Sequence, residues 1–484
     1  LTDIPVEIGP NQAMIDGMVR GMDETEKRFC SKTFCSAKWK TLHINLQNGY
    51  QSSCHHPTQK KIKIESLVNN PSGLHNTPEK KEYRKMMLNG ERPAECDYCW
   101  NIEDLSEDHM SDRTYKTMDP NWSLPYLDEI EKTGWERDIN PSYLEVSFSN
   151  VCNFKCIYCS PDISSQWMDE IRKHGPYPTS TKTHDLDYIK KVGKFPIHHK
   201  EHNPYVEAFW EWWPELYPSL DTFRITGGEP LLSKETWRIL DYINKNPRKD
   251  LNLAINTNMG IPDDVLERFI SIYNEIKGKI KTFEIFTSCE AAGKSAEYIR
   301  FGMNYPKFME NIKKFLRETG TESRVHFMVT FNVLSMESFI SFLADIWRLR
   351  VEFNETDAMN RIPMMIAYLR WPNFLSMQIA PEELKEKFSR EVLAYVEEYA
   401  EPEPSKKLII NGKTISPKTG RFYLEEIDQV KRLCEFMSQP PPNPKQQKED
   451  FWNYIEEYDQ RRNRDFGETF PQLADFFCEE LMNE

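Results

Sequence analysis

YLEVSFSNVCNFKCIYC (143–159) decides the reading of this chain. Its first half, YLEVSFS (143–149), is short and rich in apolar, β-branched and aromatic residues, as a sheet requires. It runs straight into Cys152, Cys156 and Cys159. Three thiolates are thereby bunched on a loop at the C-terminal end of a strand, where alternating β/α folds place their chemistry. A zinc site normally closes with four ligands. Three cysteines with no nearby fourth suit a cubane iron–sulfur cluster with one iron left open. An open iron can chelate the amino and carboxylate groups of an amino-acid moiety. A reduced cluster can then pass an electron into a sulfonium C–S bond. A structural metal site, or cysteines with no joint role, is the competing reading.

Working outward, the same strand character recurs at TFRIT (222–226), LNLAIN (251–256), KTFEIFT (281–287), RVHFMVTF (324–331) and IPMMIAY (362–368). Helical stripes lie between them: Val265, Phe269, Ile272 and Ile276 after Pro262; Phe308, Ile312 and Phe315; Phe339, Leu343 and Ile346. Repeated alternation predicts parallel strands with right-handed crossovers. Six units predict an α/β fold, a partial (β/α)6 TIM-like barrel rather than a closed eight-stranded one. The long stretch between Cys159 and Gly227 reads as a first helix plus an insertion. Its Trp210, Trp212 and Trp213 read as helix packing before a substrate wall. Residues 1–125 form a small cysteine-rich auxiliary domain in this reading, 140–375 the barrel, and 376–484 a helical C-terminal region. Prolines in SQPPPNPKQQ (438–447) interrupt the last.

Composition narrows the function classes. A net charge of −14 argues against broad phosphate-backbone binding and so against nucleic acid as a partner. No apolar run approaches the roughly 20 residues that cross a bilayer. LTDIPVEIGP lacks the basic and apolar regions of a signal peptide. The expected location is cytoplasmic. In that reducing setting, clustered cysteines are metal ligands or catalytic groups before they are disulfides.

The Cys-x3-Cys-x2-Cys run, with Tyr158 before its last cysteine, resembles the signature of the radical S-adenosylmethionine (SAM) superfamily. Thr226-Gly227-Gly228-Glu229-Pro230 at the second strand's end resembles that superfamily's GGEP motif. The resemblance implies a SAM-binding [4Fe–4S] cluster on Cys152, Cys156 and Cys159. It also implies adenine contact at Tyr158 and a hold on the SAM amino group by Gly227, Gly228, Glu229 and Pro230. Asn256 ends the third strand. Ser288 and Arg300 match a serine and a downstream arginine that engage SAM in SPASM/twitch relatives, although Glu290 stands where an aspartate is commoner. Asn332, ending the fifth strand, is a further expected SAM contact.

Ahead of the barrel, CSAKWKTLHINLQNGYQSSC (35–54) reads as a β-hairpin turning at Asn48-Gly49. Cys35, Gly49 and Cys54, with the later Cys96-Asp97-Tyr98-Cys99, resemble the first half of a SPASM or twitch domain, here N-terminal rather than C-terminal to the core. This implies an auxiliary [4Fe–4S] cluster on Cys35, Cys54, Cys96 and Cys99, with structural zinc as the alternative. Cys30 is a poorer-spaced substitute for Cys35, and His55 and His56 are possible replacement ligands beside Cys54.

The leading expectation is a radical SAM enzyme that makes a 5′-deoxyadenosyl radical and abstracts hydrogen from a peptide, an amino-acid-like molecule or another small molecule. The resemblance implies a one-electron donor such as flavodoxin or ferredoxin. Cys289, beside Ser288, is a candidate hydrogen donor, weighed against a small buried core residue. The alternative is a non-catalytic iron–sulfur or zinc protein acting as a binding scaffold, which needs neither GGEP nor an open iron.

Overall fold

The computed structural model describes residues 33–105, 110–356, 359–401, 408–410, 413–415 and 417–483. Cys30 lies outside them. The strands of the main sheet are β1 (Thr41–Asn45), β2 (Tyr50–Ser52), β3 (Lys60–Lys61), β4 (Tyr143–Ser147), β6 (Thr222–Thr226), β7 (Asn252–Asn256), β8 (Thr282–Ser288), β10 (Val325–Phe331) and β11 (Met364–Tyr368). Two short strands, β5 (Lys155–Cys156) and β9 (Arg300–Phe301), pair apart from it. The sheet has nine strands in the order β11-β10-β8-β7-β6-β4-β1-β2-β3. The six expected strands are β4, β6, β7, β8, β10 and β11, mutually parallel and adjacent in chain order.

Alternation divides the two faces of the sheet. On β10, Val325, Phe327, Val329 and Phe331 are buried. Phe327 meets Phe308 and Phe342, from the helices Tyr305–Glu318 and Phe339–Phe353 on either side of the strand in sequence. Glu145 and Arg224 take the same register on neighbouring strands, with His43 opposite Glu145 on β1. On β8 and β10, Glu284 pairs with His326 at 3.0 Å. A charged strip therefore crosses the sheet face opposite to the apolar one.

The N-terminal, barrel and C-terminal parts expected from sequence pack against one another. β1 pairs in parallel with β4, so the N-terminal hairpin extends the barrel sheet. Leu42, Ile44 and Leu46 join the main core; only the surroundings of Cys35, Cys96 and Cys99 keep a small core of their own. The C-terminal region is equally continuous with the barrel. From the helix Leu424–Ser438, Glu426 accepts the N–H of Met364 at 3.1 Å and Gln429 that of Ile366 at 2.5 Å. These side chains satisfy the edge of β11, which would otherwise offer open donors to a passing strand. No helix among the described residues is long and apolar enough to cross a membrane.

The turn after β1 depends on Gly49. Its φ is +71°, and a Cβ there would lie 2.1 Å from the Tyr205 ring. Backbone conformation and space both exclude a side chain. Gly49→Ala is expected to lower unfolding stability by about 2 kcal/mol, read as a reduced urea midpoint with an unchanged slope.

Candidate functional site

The cysteine loop leaves β4 and is fixed by backbone contacts before any side chain is considered. Gly228 donates its N–H to the Ser149 carbonyl at 3.2 Å and Glu229 to that of Val151 at 2.7 Å. A Cβ on Gly228 would stand 2.3 Å from the Val151 oxygen, and Gly227 has φ +128°. The glycine pair thus lets the end of β6 lie against the loop that delivers Cys152. Further along, β5 pairs with β9, setting Cys156 opposite Arg300. Trp167 donates to the Cys156 carbonyl at 2.8 Å, and His184 Nε2 lies 2.8 Å from that of Cys159.

The C-terminal region adds contacts that the sequence did not signal. Tyr454, on the helix Pro444–Arg462, donates to the Ile157 carbonyl at 2.7 Å. Arg462 donates to the Lys155 carbonyl at 3.0 Å and pairs with buried Glu170 at 3.0 Å. This helix clamps the back of the cysteine loop.

Cys152, Cys156 and Cys159 line one cavity of about 190 Å³. Tyr158, Gly227, Gly228, Asn256, Ser288 and Arg300 share it. No other cysteine and no histidine, aspartate or glutamate is among its described lining residues. Burial pushes the Cys152 thiol up to about 12. A hydrogen bond from Cys159 holds the Cys156 thiol down, and keeping that proton pushes Cys159 up. Bound metal deprotonates thiols outright and would take over this proton's role. The donor set therefore fits a cluster held by three thiolates.

Four further candidate residues do not line this cavity. Glu229 is 1% exposed and does not line the cavity. Its carboxylate accepts the N–H of Leu231 at 3.0 Å and that of Asn258 at 2.6 Å, bracing two strand ends. Pro230 is buried and also absent from the lining. Asn332 caps the turn after β10, accepting from Leu334 N–H at 3.1 Å. The strand has already ended there, so Thr330, two residues earlier, faces the cavity instead. The alternation of RVHFMVTF would have found it. Cys289 is fully buried, its thiol 3.2 Å from the Ala291 carbonyl, and lies outside the lining.

Glu290 holds Arg300. The pair is buried, with Arg300 Nη2 at 2.5 Å from Glu290 Oε2 and Nη1 at 3.8 Å from Cys156 Sγ. Tyr158 places its hydroxyl 3.3 Å from both Glu290 oxygens and also accepts from Arg300. One cation therefore bridges a thiol, a phenol and a carboxylate.

Cys35, Cys54, Cys96 and Cys99 line a separate, small cavity of about 20 Å³. Burial pushes Cys35, Cys96 and Cys99 up, and at Cys35 the neighbouring cysteines add to it. Lys38, Arg113 and Lys116 line the same cavity and would offset thiolate charge. His56 lies 2.9 Å from Asp112 and stacks on Tyr98. His55 instead faces His43. In the insertion, Trp212 and Trp213 are core residues. Trp210 walls a cavity of about 680 Å³ beside the start of the cysteine loop and donates to Glu235 at 2.7 Å.

Residues 146–346 match the Radical SAM superfamily, so the chain carries a radical SAM domain. The GTP 3′,8-cyclase of Campylobacter jejuni subsp. doylei is 30% identical over 124 residues, covering 26% of this chain and 29% of that protein. The GTP 3′,8-cyclase of Pectobacterium atrosepticum is 32% identical over 119 residues, covering 24% and 26%. The chain thus spans less than a third of the length of these curated relatives. Among solved structures, Streptococcus suis SuiB bound to S-adenosylmethionine aligns with a TM-score of 0.30 and 12% identity, over 74% of this chain and 69% of that one. SuiB bound to the precursor peptide SuiA aligns with a TM-score of 0.31 and 11% identity, over 75% and 70%.

Removing one partner of a buried ion pair leaves an uncompensated charge, at a cost of about 3–5 kcal/mol. Glu290→Gln is accordingly expected to destabilise the chain strongly in urea unfolding. The double variant Glu290→Leu/Arg300→Met should recover most of that loss, because neither charge then remains buried.

Proposed function

We propose that this chain is a radical SAM enzyme. It cleaves S-adenosylmethionine reductively to a 5′-deoxyadenosyl radical, which abstracts hydrogen from a substrate of peptide or amino-acid character. The observation that carries the reading is the cavity where three cysteines meet four strand ends with no fourth ligating side chain in its described lining. In this reading Cys152, Cys156 and Cys159 hold a [4Fe–4S] cluster. When bound, the cluster supplies the electron that breaks the sulfonium C–S bond of SAM.

The chain's own residues bind and orient. Gly227 and Gly228 present backbone without side chains, and Asn256, Ser288 and Thr330 present polar groups to the same space. Arg300 meets anionic charge from SAM, its direction fixed by Glu290 and Tyr158. Glu229 acts indirectly, keeping the ends of β6 and β7 together. Trp167 and Tyr454 seal the loop from behind. The charged strip of Glu145, Arg224, Glu284 and His326 suits a substrate that carries charges of its own.

The second part of the proposal is an auxiliary [4Fe–4S] cluster on Cys35, Cys54, Cys96 and Cys99, with zinc as the other occupant that four thiolates suit. Its support is their common cavity and the basic residues around it. Cys35, Cys54, Cys96, Cys99, Cys152, Cys156, Cys159, Cys289 and Cys434 are free thiols, in keeping with a cytoplasmic enzyme that draws electrons from a flavodoxin or ferredoxin. Buried Cys289 is read as a packing residue rather than a hydrogen donor.

Anaerobic reconstitution followed by dithionite and SAM should yield 5′-deoxyadenosine. Cys156→Ala should abolish it and remove about four iron atoms per chain. Cys289→Ala should leave the yield unchanged. Absence of 5′-deoxyadenosine from wild-type protein of full iron content would favour the binding scaffold.

A further inference from the structure

Between the two cysteine cavities lies a third, of about 150 Å³, built from β1, β2 and β4 and the segment after Cys54. Cys54 lines it and also the four-cysteine cavity; Thr226 lines it and also the cavity of the triad. It thus adjoins both cysteine cavities.

Three metal-ligating side chains converge there. The ligand atoms of His43, His55 and Glu145 all lie within 4.8 Å of one another. His43 and Glu145 are register partners on β1 and β4, so adjacent parallel strands hold their side chains abreast. The His43 and His55 rings are 4.2 Å apart and nearly perpendicular, at 72°, so they do not stack. The His43 side chain is only 7% exposed, yet its Nδ1 has no hydrogen-bond partner. The nearer Glu145 oxygen, Oε1, stands 3.7 Å away. A buried polar atom left without a partner costs about 1–3 kcal/mol. A shared cation is one way to satisfy it.

Two basic side chains oppose a cation, Lys116 from the His55 side and Arg224 from the Glu145 side. Arg224 approaches Glu145, but at the other oxygen, Oε2, at 3.9 Å, and it donates to Asn256 at 3.0 Å. Oε1 is the oxygen on the His43 side. With part of the carboxylate's charge offset, the site is a poor one for calcium or magnesium, which need several hard oxygens. Two imidazoles and one carboxylate suit a divalent transition cation and leave coordination positions open.

We infer that His43, His55 and Glu145 form a mononuclear site for a divalent transition cation of the zinc or ferrous type. Its open positions face the cavity that adjoins the SAM pocket. There the cation would hold a substrate's carboxylate or amide oxygen between the two cysteine sites. The metal site stands on its own residues, whereas the substrate it would hold rests on the function proposed above.

The test uses the full chain with its iron–sulfur sites reconstituted, loaded with Zn²⁺ and dialysed. Metal analysis should find one zinc retained per chain. Zinc-edge X-ray absorption should show only nitrogen and oxygen neighbours at about 2.0–2.2 Å, with imidazole scattering and no sulfur at about 2.3 Å. Glu145→Gln, which preserves side-chain volume, and His43→Ala should each cut retained zinc at least about tenfold, on the scale expected for losing a ligand rather than an outer partner. Iron content should not change. If His43→Ala also loses iron, Glu145→Gln decides. Three results would overturn the inference: no zinc retained by wild-type protein, zinc bound through sulfur, or zinc undiminished in Glu145→Gln. Iron content and 5′-deoxyadenosine yield report separately on the cysteine sites.

Discussion

The close passage of Gly228 by Val151 sets the position of nearly everything at the candidate site. Two backbone segments meet there with no room for a side chain, and their hydrogen bonds join the end of β6 to the loop carrying Cys152. The short β5–β9 pair does the same for Cys156 and Arg300. Thiols on a free loop would be spread over many conformations, and a cluster would have to supply the entropy of gathering them. Here the protein backbone has gathered them beforehand.

From that constraint the electrostatics follow. Arg300 comes beside Cys156 because the strand pair puts it there, and Glu290 keeps a buried cation tolerable. The arginine can then serve two ends, steadying thiolate charge and facing the cavity. Helix Pro444–Arg462 closes the other side, so the C-terminal region is part of the site's support rather than an appendage.

Much of this architecture was legible in the sequence. Six strands and their intervening helices were readable because each carries enough apolar periodicity to be recognised locally. The hairpin was readable from its Asn48-Gly49 turn, but its place in the barrel sheet was not: pairing β1 with β4 joins Leu42 to Leu144 across a long separation that no local pattern records. Motifs fixed which strand end a residue occupies, not where its side chain turns. Gly227, Gly228, Ser288 and Arg300 fell on the cavity as expected, whereas Glu229 and Asn332 spend their polar atoms on neighbouring backbone. Tyr454 and Arg462 were invisible, since one ordinary helix looks like another until its partner is known. His55 was noticed only as a neighbour of Cys54, while its facing partner His43 lies on β1.

The central claim is that three thiolates leave one iron corner for the amino acid end of SAM. Electron–nuclear double resonance of the reduced cluster, with SAM labelled by ¹⁵N at its amino group, measures this most directly. A ¹⁵N coupling of directly bonded size is expected, and it should disappear when unlabelled SAM replaces the labelled form. A spectrum indifferent to SAM, or one already showing a protein nitrogen at that corner, would contradict it.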